Sequence, residues 1–222
     1  MPDRAVHAEI LPHDEPSIDD VVDVLSEAFF DYPVLRFVLG REEADYPSRL
    51  RALVEFFVRA RVFRGEPLLG VRQGERLAAA AIVSKPGGRP APAEFHHYRE
   101  RLWSRLGPEA GARYLAFGQA VEPLLPDRPH LHLNMIGVRV TAQGRGLGRL
   151  LLDQVHRLAA ADADAQGVSL NTEIEANVAL YQHVGYRLLG QATVAPGLST
   201  WVFWRPDSQA ASRRPSPELR PV

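Results

Sequence analysis

The spacing of hydrophobic positions changes repeatedly along the chain, and each change marks an element. Residues 6–11 read as a first strand. Ser17, with Asp20 three residues on, makes a capping-box-like start for a helix through Phe30, and the DYP of residues 31–33 breaks it. Pro47 and Ser48 open a second helix, in which Leu50, Leu53, Val54, Phe57 and Val58 recur at helical spacing on one face. Apolar runs at 68–71 and 77–83 flank Gln73 and Gly74, predicting an antiparallel hairpin, and KPGGRPAP at 85–92 is a loop. Residues 93–125 carry helical signals interrupted by Gly107 and Pro108, which predicts two helices or one bent pair.

The second half alternates more regularly. HLHLNMIGV at 130–138 is a strand, followed by a glycine-rich turn. Leu147, Leu150, Leu151, Val155 and Leu158 then give the stripe of a helix packed on a sheet. Residues 168–172 form another strand, 177–183 a short helix ended by Gly185, and two last strands flank Pro196 and Gly197. This is an α/β (α+β) pattern without internal repeats, and it predicts one domain over residues 1–206. The polar, proline-rich segment 207–222 is expected to be a disordered tail.

Composition narrows the functional classes. The 222 residues are 45% hydrophobic, enough for one well-buried core. A formal net charge of −1 with 24% charged residues leaves no basic field for nucleic acid or an anionic membrane. The absence of cysteine excludes disulfides, a thiol nucleophile and cysteine-bound zinc, and the eight histidines lack metal-protease spacing, so no metal is expected. The start of the chain has no long apolar core and the longest apolar run, 77–83, is too short to span a bilayer; a cytoplasmic protein, monomer or homodimer, is expected.

The chemistry concentrates at QGRGLG, residues 143–148. Gly144, Gly146 and Gly148 let the main chain approach a ligand without a Cβ in the way, and the following helix start presents unpaired N–H groups and a positive dipole end. A diphosphate fits such a cradle, with Arg145 or Arg149 beside it. A Walker loop would need a lysine next to the last glycine, but the chain's only lysine is Lys85. A dinucleotide fingerprint has its glycines at a different spacing, which weakens a nicotinamide-dependent oxidoreductase without removing it; Glu173 lies at a tolerable distance for a ribose partner. The remaining pattern is (Q/R)xxGx(G/A), matched by Gln143, Gly146 and Gly148.

With NVALYQHVGY at 177–186 downstream, this turn resembles the GNAT acetyltransferases, in which a tyrosine precedes a Gly-aromatic pair. DYP at 31–33, the proline-rich approach 123–129, IGV at 136–138 and the closing PGLSTWVFW extend the likeness over nearly the whole chain, toward the puromycin-acetylating branch. The resemblance implies a single mixed, mostly antiparallel sheet flanked by helices and split in a V where acetyl-CoA binds. It implies acetyl transfer to the amine of a small molecule by direct attack in a ternary complex. A catalytically idle acyl-CoA-binding sensor with the same fold stays open.

By the same resemblance, Gln143, Gly144, Arg145, Gly146, Leu147, Gly148 and Arg149 hold the diphosphate of acetyl-CoA, while Ile136, Gly137 and Val138 offer backbone groups to its pantetheine arm. Tyr181 matches the family's general acid. His132 stands where histone-type members carry a basic glutamate; Glu173, Glu175 and a water relay are the alternatives. Many members place a CoA-holding asparagine seven residues before the tyrosine; here that residue is Ile174, and Asn177 is its nearest substitute. The glutamate some members carry twelve residues before the tyrosine is Ser169. Asp31 and Tyr32 fall on the acceptor side, where a carboxylate and a ring suit a cationic or aromatic amine; alternatively, DYP only ends a helix. Deprotonating an α-amine of pKa ~8 at pH 7 costs about 1.4 kcal/mol, against about 4 to 5 for a lysine-like amine.

Overall fold

Hydrogen bonding runs unbroken across a seven-stranded sheet in the order β1-β2-β3-β4-β5-β7-β6. The computed structural model describes residues 6–40 and 45–207. The strands are β1 (Ala8–Leu11), β2 (Leu68–Gln73), β3 (Arg76–Ser84), β4 (Leu131–Val138), β5 (Gly167–Thr172), β6 (Arg187–Ala195) and β7 (Leu198–Pro206). Every neighbouring pair is antiparallel except β4 with β5. The helices are α1 (Glu15–Ala28), α2 (Pro33–Leu39), α3 (Tyr46–Phe63), α4 (Ala93–Leu106), α5 (Pro108–Val121), α6 (Leu147–Ala161) and α7 (Ala176–His183).

The start of α1 differs from the sequence expectation. Asp14 is the cap, its carboxylate accepting from the Ser17 amide at 2.9 Å, and Ser17 is buried within the first turn. A carboxylate is the stronger acceptor for an orphan helix amide, and Pro16 needs no partner in that turn. DYP also does more than end a helix: Tyr32 caps and Pro33 opens the additional helix α2. A proline that stops one helix is preorganised to start the next. Gly107, at φ 87°, separates α4 from α5 as the breaker signals predict. Residues 208–222, most of the expected tail, lie outside the described residues.

Helices α1 and α3 cover one face of the sheet. Val21, Val22, Val24 and Leu25 of α1 and Leu50, Leu53, Val54 and Val58 of α3 are essentially inaccessible. Each such side chain contributes roughly 1.5–3 kcal/mol of transfer free energy. Helix α6 covers the other face through Leu147, Leu151, Leu152, Val155 and Ala159.

Two irregularities of β4 create the site. Its register against β3 slips between the pairs Ile82–Met135 and Val83–Leu133, leaving Asn134 as the extra residue of a bulge. Leu131 and Leu133 face α6, whereas Met135 belongs to the core under α1 and α3. Beyond the bulge, β4 and β5 part: they pair only where 131–133 meet 168–170, although both strands continue. Gly137, in the parted stretch, lies under α1; a Cβ there would sit 2.6 Å from the Ala28 Cβ and 3.2 Å from Leu25 Cδ2. Gly137→Ala is expected to lower stability by about 1–3 kcal/mol, read from urea denaturation midpoints.

Candidate active site

The glycine turn leaves β4 through a short 3-10 turn (Val140–Ala142) and enters α6. Gly144 and Gly146 hold φ of 74° and 76°, the left-handed region that glycine occupies without strain. Gly146 is the N-cap of α6 and makes no side-chain cap bond. Among the described residues, no backbone acceptor engages the amides of residues 144–148; the first capping bonds are Arg149 and Leu150 to the Gly146 carbonyl. The turn is solvent-exposed, so these amides form a positively polarised concavity open to a ligand. Gln143 Nε2 donates to the Val138 carbonyl at 3.3 Å, tying the turn back to the strand. Arg149 pairs with Asp153 at 2.9 Å, and Arg145 is exposed. These features suit a diphosphate held by main-chain donors.

The gap between β4 and β5 adjoins this turn. The Arg139 amide donates to Ala78 on β3, so strand alternation turns the Val138 and Ile136 amides the other way, toward the edge that β5 leaves uncovered. That edge opens into a cavity of about 890 Å³, lined by residues from α3, α4, α5, β4, β5 and α7.

Tyr181, Glu173, Tyr32, His132, Ile136 and Asn177 all reach this cavity. Tyr181 is buried by Phe203 and Tyr186 at centroid distances of 5.7 and 5.9 Å. Its hydroxyl makes no hydrogen bond among the described residues. Burial, and then the nearby Glu173 carboxylate, push its pKa up to about 12. Glu173 is itself buried, and burial raises its pKa against hydrogen bonds from Thr200 Oγ1 at 2.7 Å and Asn171 Nδ2 at 2.9 Å. Its placement brings a basic carboxylate and a protonated phenol to one chamber.

Tyr32 and Asn177 converge on the same strand end. The Tyr32 hydroxyl accepts from the Glu173 amide at 3.2 Å and lies 3.1 Å from Thr172 Oγ1. Asn177 Nδ2 donates to that Thr172 oxygen at 3.1 Å, and the Ile174 amide adds a third contact at 3.3 Å. Asn177 therefore spends its amide on the end of β5. Burial and the Glu173 charge raise the pKa of Tyr32 beyond any physiological range.

Other sequence-based assignments fall differently. Asp31 is outside the cavity lining, with a side chain 83% exposed and paired with Arg36 at 2.6 Å. The carboxylate of DYP thus serves the surface, and only its tyrosine reaches the chamber. Glu175 is exposed. His132 lines the cavity with Nδ1 2.8 Å from Ser169 Oγ on the adjoining strand. Burial, the charge of His130 and that of Arg61 push its pKa down to about 4. It is a weak proton acceptor at pH 7, which counts against the base role expected from its place in the strand.

Several residues of the site had no sequence signal. Arg61 on α3 donates to Ser84 and reaches the bulge residue Asn134 at 3.5 Å, while forming a buried ion pair with Glu66 at 3.0 Å. Ser84 Oγ donates to Asn134 Oδ1 at 2.8 Å. Thr172 and Thr200 are two among several polar positions of β5 and β7. Only their burial, invisible in the sequence, marks them.

Residues 109–188 match the family model of the acetyltransferase (GNAT) domain. No curated protein sequence matches the chain. Similar solved structures include histone acetyltransferase HPA2 and related acetyltransferase from Corynebacterium glutamicum, at 23% identity and TM-score 0.62, covering 90% of this chain and 96% of that one. A Drosophila melanogaster polyamine N-acetyltransferase that forms N-acetylagmatine is 19% identical, with TM-score 0.61 and coverage of 89% and 98%. Arylalkylamine N-acetyltransferase 2 from Aedes aegypti is 14% identical, with TM-score 0.61 and coverage of 92% and 100%. At these identities the likeness carries the fold, a mixed sheet opened between its two parallel strands.

The folded pKa of His132, about 4, lies below its unfolded value near ~6.5. Between those values the unfolded chain binds more protons, so this contribution to stability is full above about pH 6.5 and is lost as pH falls toward 4. Urea melts at pH 7 and pH 5 are expected to show a stability loss smaller by roughly 2 kcal/mol in His132→Asn than in the unsubstituted protein. Equal losses would place the acid sensitivity elsewhere.

Proposed function

We propose that this chain transfers the acetyl group of acetyl-CoA to the amine of a small molecule, puromycin-type amines included, by direct attack within a ternary complex. The observation that carries this reading is the row of unpaired amides at residues 144–148 beside a parted pair of strands whose gap leads to Tyr181. The acetyltransferase domain match over residues 109–188 supports the reaction class, and the structural neighbours named for polyamine, agmatine and arylalkylamine acetylation support an amine acceptor.

In this reading the turn at 144–149 fixes the diphosphate, and the Ile136 and Val138 amides take up the pantetheine arm and the thioester carbonyl oxygen. The acceptor amine enters from the aromatic side of the chamber. Glu173, with its proton affinity raised by burial, accepts the amine proton; a carboxylate shifted toward neutrality suits this task better than an imidazole pushed down to about 4. The neutral amine nitrogen then attacks the carbonyl carbon, the carbon–sulfur bond breaks, the departing sulfur takes the Tyr181 proton, and the nitrogen's remaining surplus proton leaves to solvent, from which Tyr181 is reprotonated. With Tyr181 pushed up to about 12 and a thiol near ~8.5, that transfer is uphill by about 5 kcal/mol before the negative sulfur approaches the hydroxyl. The phenol thus acts as a hydrogen-bond donor that completes proton transfer late. His132, tied to Ser169 across the middle of the three paired rungs of β4 and β5, lines the chamber as a neutral group.

A thiol-release assay with acetyl-CoA and a panel of amines tests the activity. Turnover with at least one amine is expected, whereas acetyl-CoA binding without thiol release from any of them would favour an idle binding module. Tyr181→Phe is expected to lower kcat about 10²-fold with KM for acetyl-CoA nearly unchanged. Undiminished turnover would remove Tyr181 from the reaction. Glu173→Gln is expected to abolish the acidic limb of the kcat/KM profile for the amine; a limb retained at the same pH would assign the base elsewhere.

A further inference from the structure

Helix α3 and its cap carry a run of arginines, and their partners differ in an informative way. Arg49 donates to the Leu39 and Leu106 carbonyls, at 3.2 and 3.1 Å. Arg51 pairs with Asp19 and Asp23, Arg59 with Glu15 and Glu55, and Arg61 with Glu66. Arg64, the last of them, makes no side-chain hydrogen bond or ion pair among the described residues; its Nε is buried without a hydrogen-bond partner, as is that of Arg49, but Arg49 is held by two carbonyls and Asp45 whereas Arg64 is held by nothing. It lines the cavity, and so does Arg99 of α4, which also has no ion pair among the described residues. A helix C-terminus favours a cation, which accounts for a positive charge at the cap of α3. It does not account for a buried donor left unsatisfied, an arrangement that is costly unless a ligand completes it.

The rest of the chamber defines what such a ligand would be. Phe56 stacks on Phe95 at 5.4 Å and Trp103 lies 5.0 Å from Tyr114, so the wall beside the arginines is aromatic. Among the described residues, only Glu173 and Glu122 supply carboxylates to the lining, and Glu173 stands at the end of β5. A second cationic group on the acceptor would meet Arg61, Arg64 and Arg99. A carboxylate would meet free guanidinium donors, the geometry arginine recognises best. Arg61 touches Asn134 at the mouth of the strand gap, and Arg64 follows one helical turn later, roughly 5 Å along the axis.

Resting on the acetyl-transfer reading above, we propose that the preferred acceptor is an aromatic amine that also carries a carboxylate, and that Arg64, with Arg99 at the rim, binds that carboxylate. The chamber is then built for a zwitterion: amine toward Glu173, aromatic body against α3 to α5, acid toward Arg64. Agmatine-like dications are poor acceptors on the same electrostatics.

Tryptophan and tryptamine differ only in the carboxylate, and with agmatine they form the test set. The expected kcat/KM for tryptophan exceeds that for tryptamine by tenfold or more, with agmatine below both. Arg64→Gln is expected to bring the tryptophan to tryptamine ratio close to one, and Arg64→Lys to restore part of it, with thermal midpoints confirming that both variants are folded. A ratio near one in the unsubstituted protein, or a ratio that Arg64→Gln leaves in place, overturns the proposal while leaving acetyl transfer to amines intact. If no amine is acetylated, the acetyl-transfer reading fails separately, and calorimetric titration of tryptophan into the protein with CoA reads the carboxylate site alone. Binding that Arg64→Gln weakens tenfold supports the site, and absent or unaltered binding refutes it.

Discussion

Everything in this structure that can act on a ligand depends on β4 and β5 ceasing to pair. Adjacent strands that keep their ladder satisfy each other's amides and leave no room between them. Here the ladder lasts only from 131 to 133 on β4, and the bulge at Asn134 redirects the strand beyond it. The parted state is held open by side chains. Arg61 and Ser84 fasten Asn134 on one side, and on the other Tyr32, Asn177 and the Ile174 amide converge on Thr172 at the end of β5. The edge of β4 that β5 abandons keeps its amides available, and α6 begins with a turn whose amides are equally unspent.

The elements were largely legible because they obey local rules. The stripe on α6, the hairpin around Gly74, the breaker pair Gly107 and Pro108 and the last two strands all stand where the sequence pattern puts them. The glycine turn was readable for the same reason, since Gly144 and Gly146 occupy backbone angles that other residues avoid. The misread features depended on competition between similar signals: Asp14 outcompetes Ser17 as a cap, and Pro33 begins a helix as well as ending one. Tyr181 and Tyr32 reach the chamber from matching motifs, whereas Asp31, next to Tyr32 in sequence, turns to Arg36 at the surface. The network around Glu173 was illegible, because Asn171, Thr200 and Tyr32 meet only through the register of β5 with β7 and the packing of α1.

Burial gives the chamber its electrostatic character. It drives His132 toward neutrality and Glu173 toward greater basicity, and it keeps both tyrosines protonated. The same low-polarity surroundings strengthen every contact with an incoming charge. The uneven pairing of arginines along α3 then matters: Arg59 and Arg61 are paired with glutamates, whereas Arg64, which lines the cavity beside Arg61, has no ion pair among the described residues. Gly137 shows the cost of this geometry on the opposite side, since α1 approaches the parted strand too closely for any side chain.

The most direct measurement is a crystal structure of the protein grown or soaked with acetyl-CoA. The diphosphate is predicted to lie within hydrogen-bonding distance, about 3 Å, of the amides of residues 144–148, with the thioester in the gap between β4 and β5 beside Tyr181. Coenzyme density at any other place, or none at a saturating concentration, would contradict the role assigned to the turn and the parted strands.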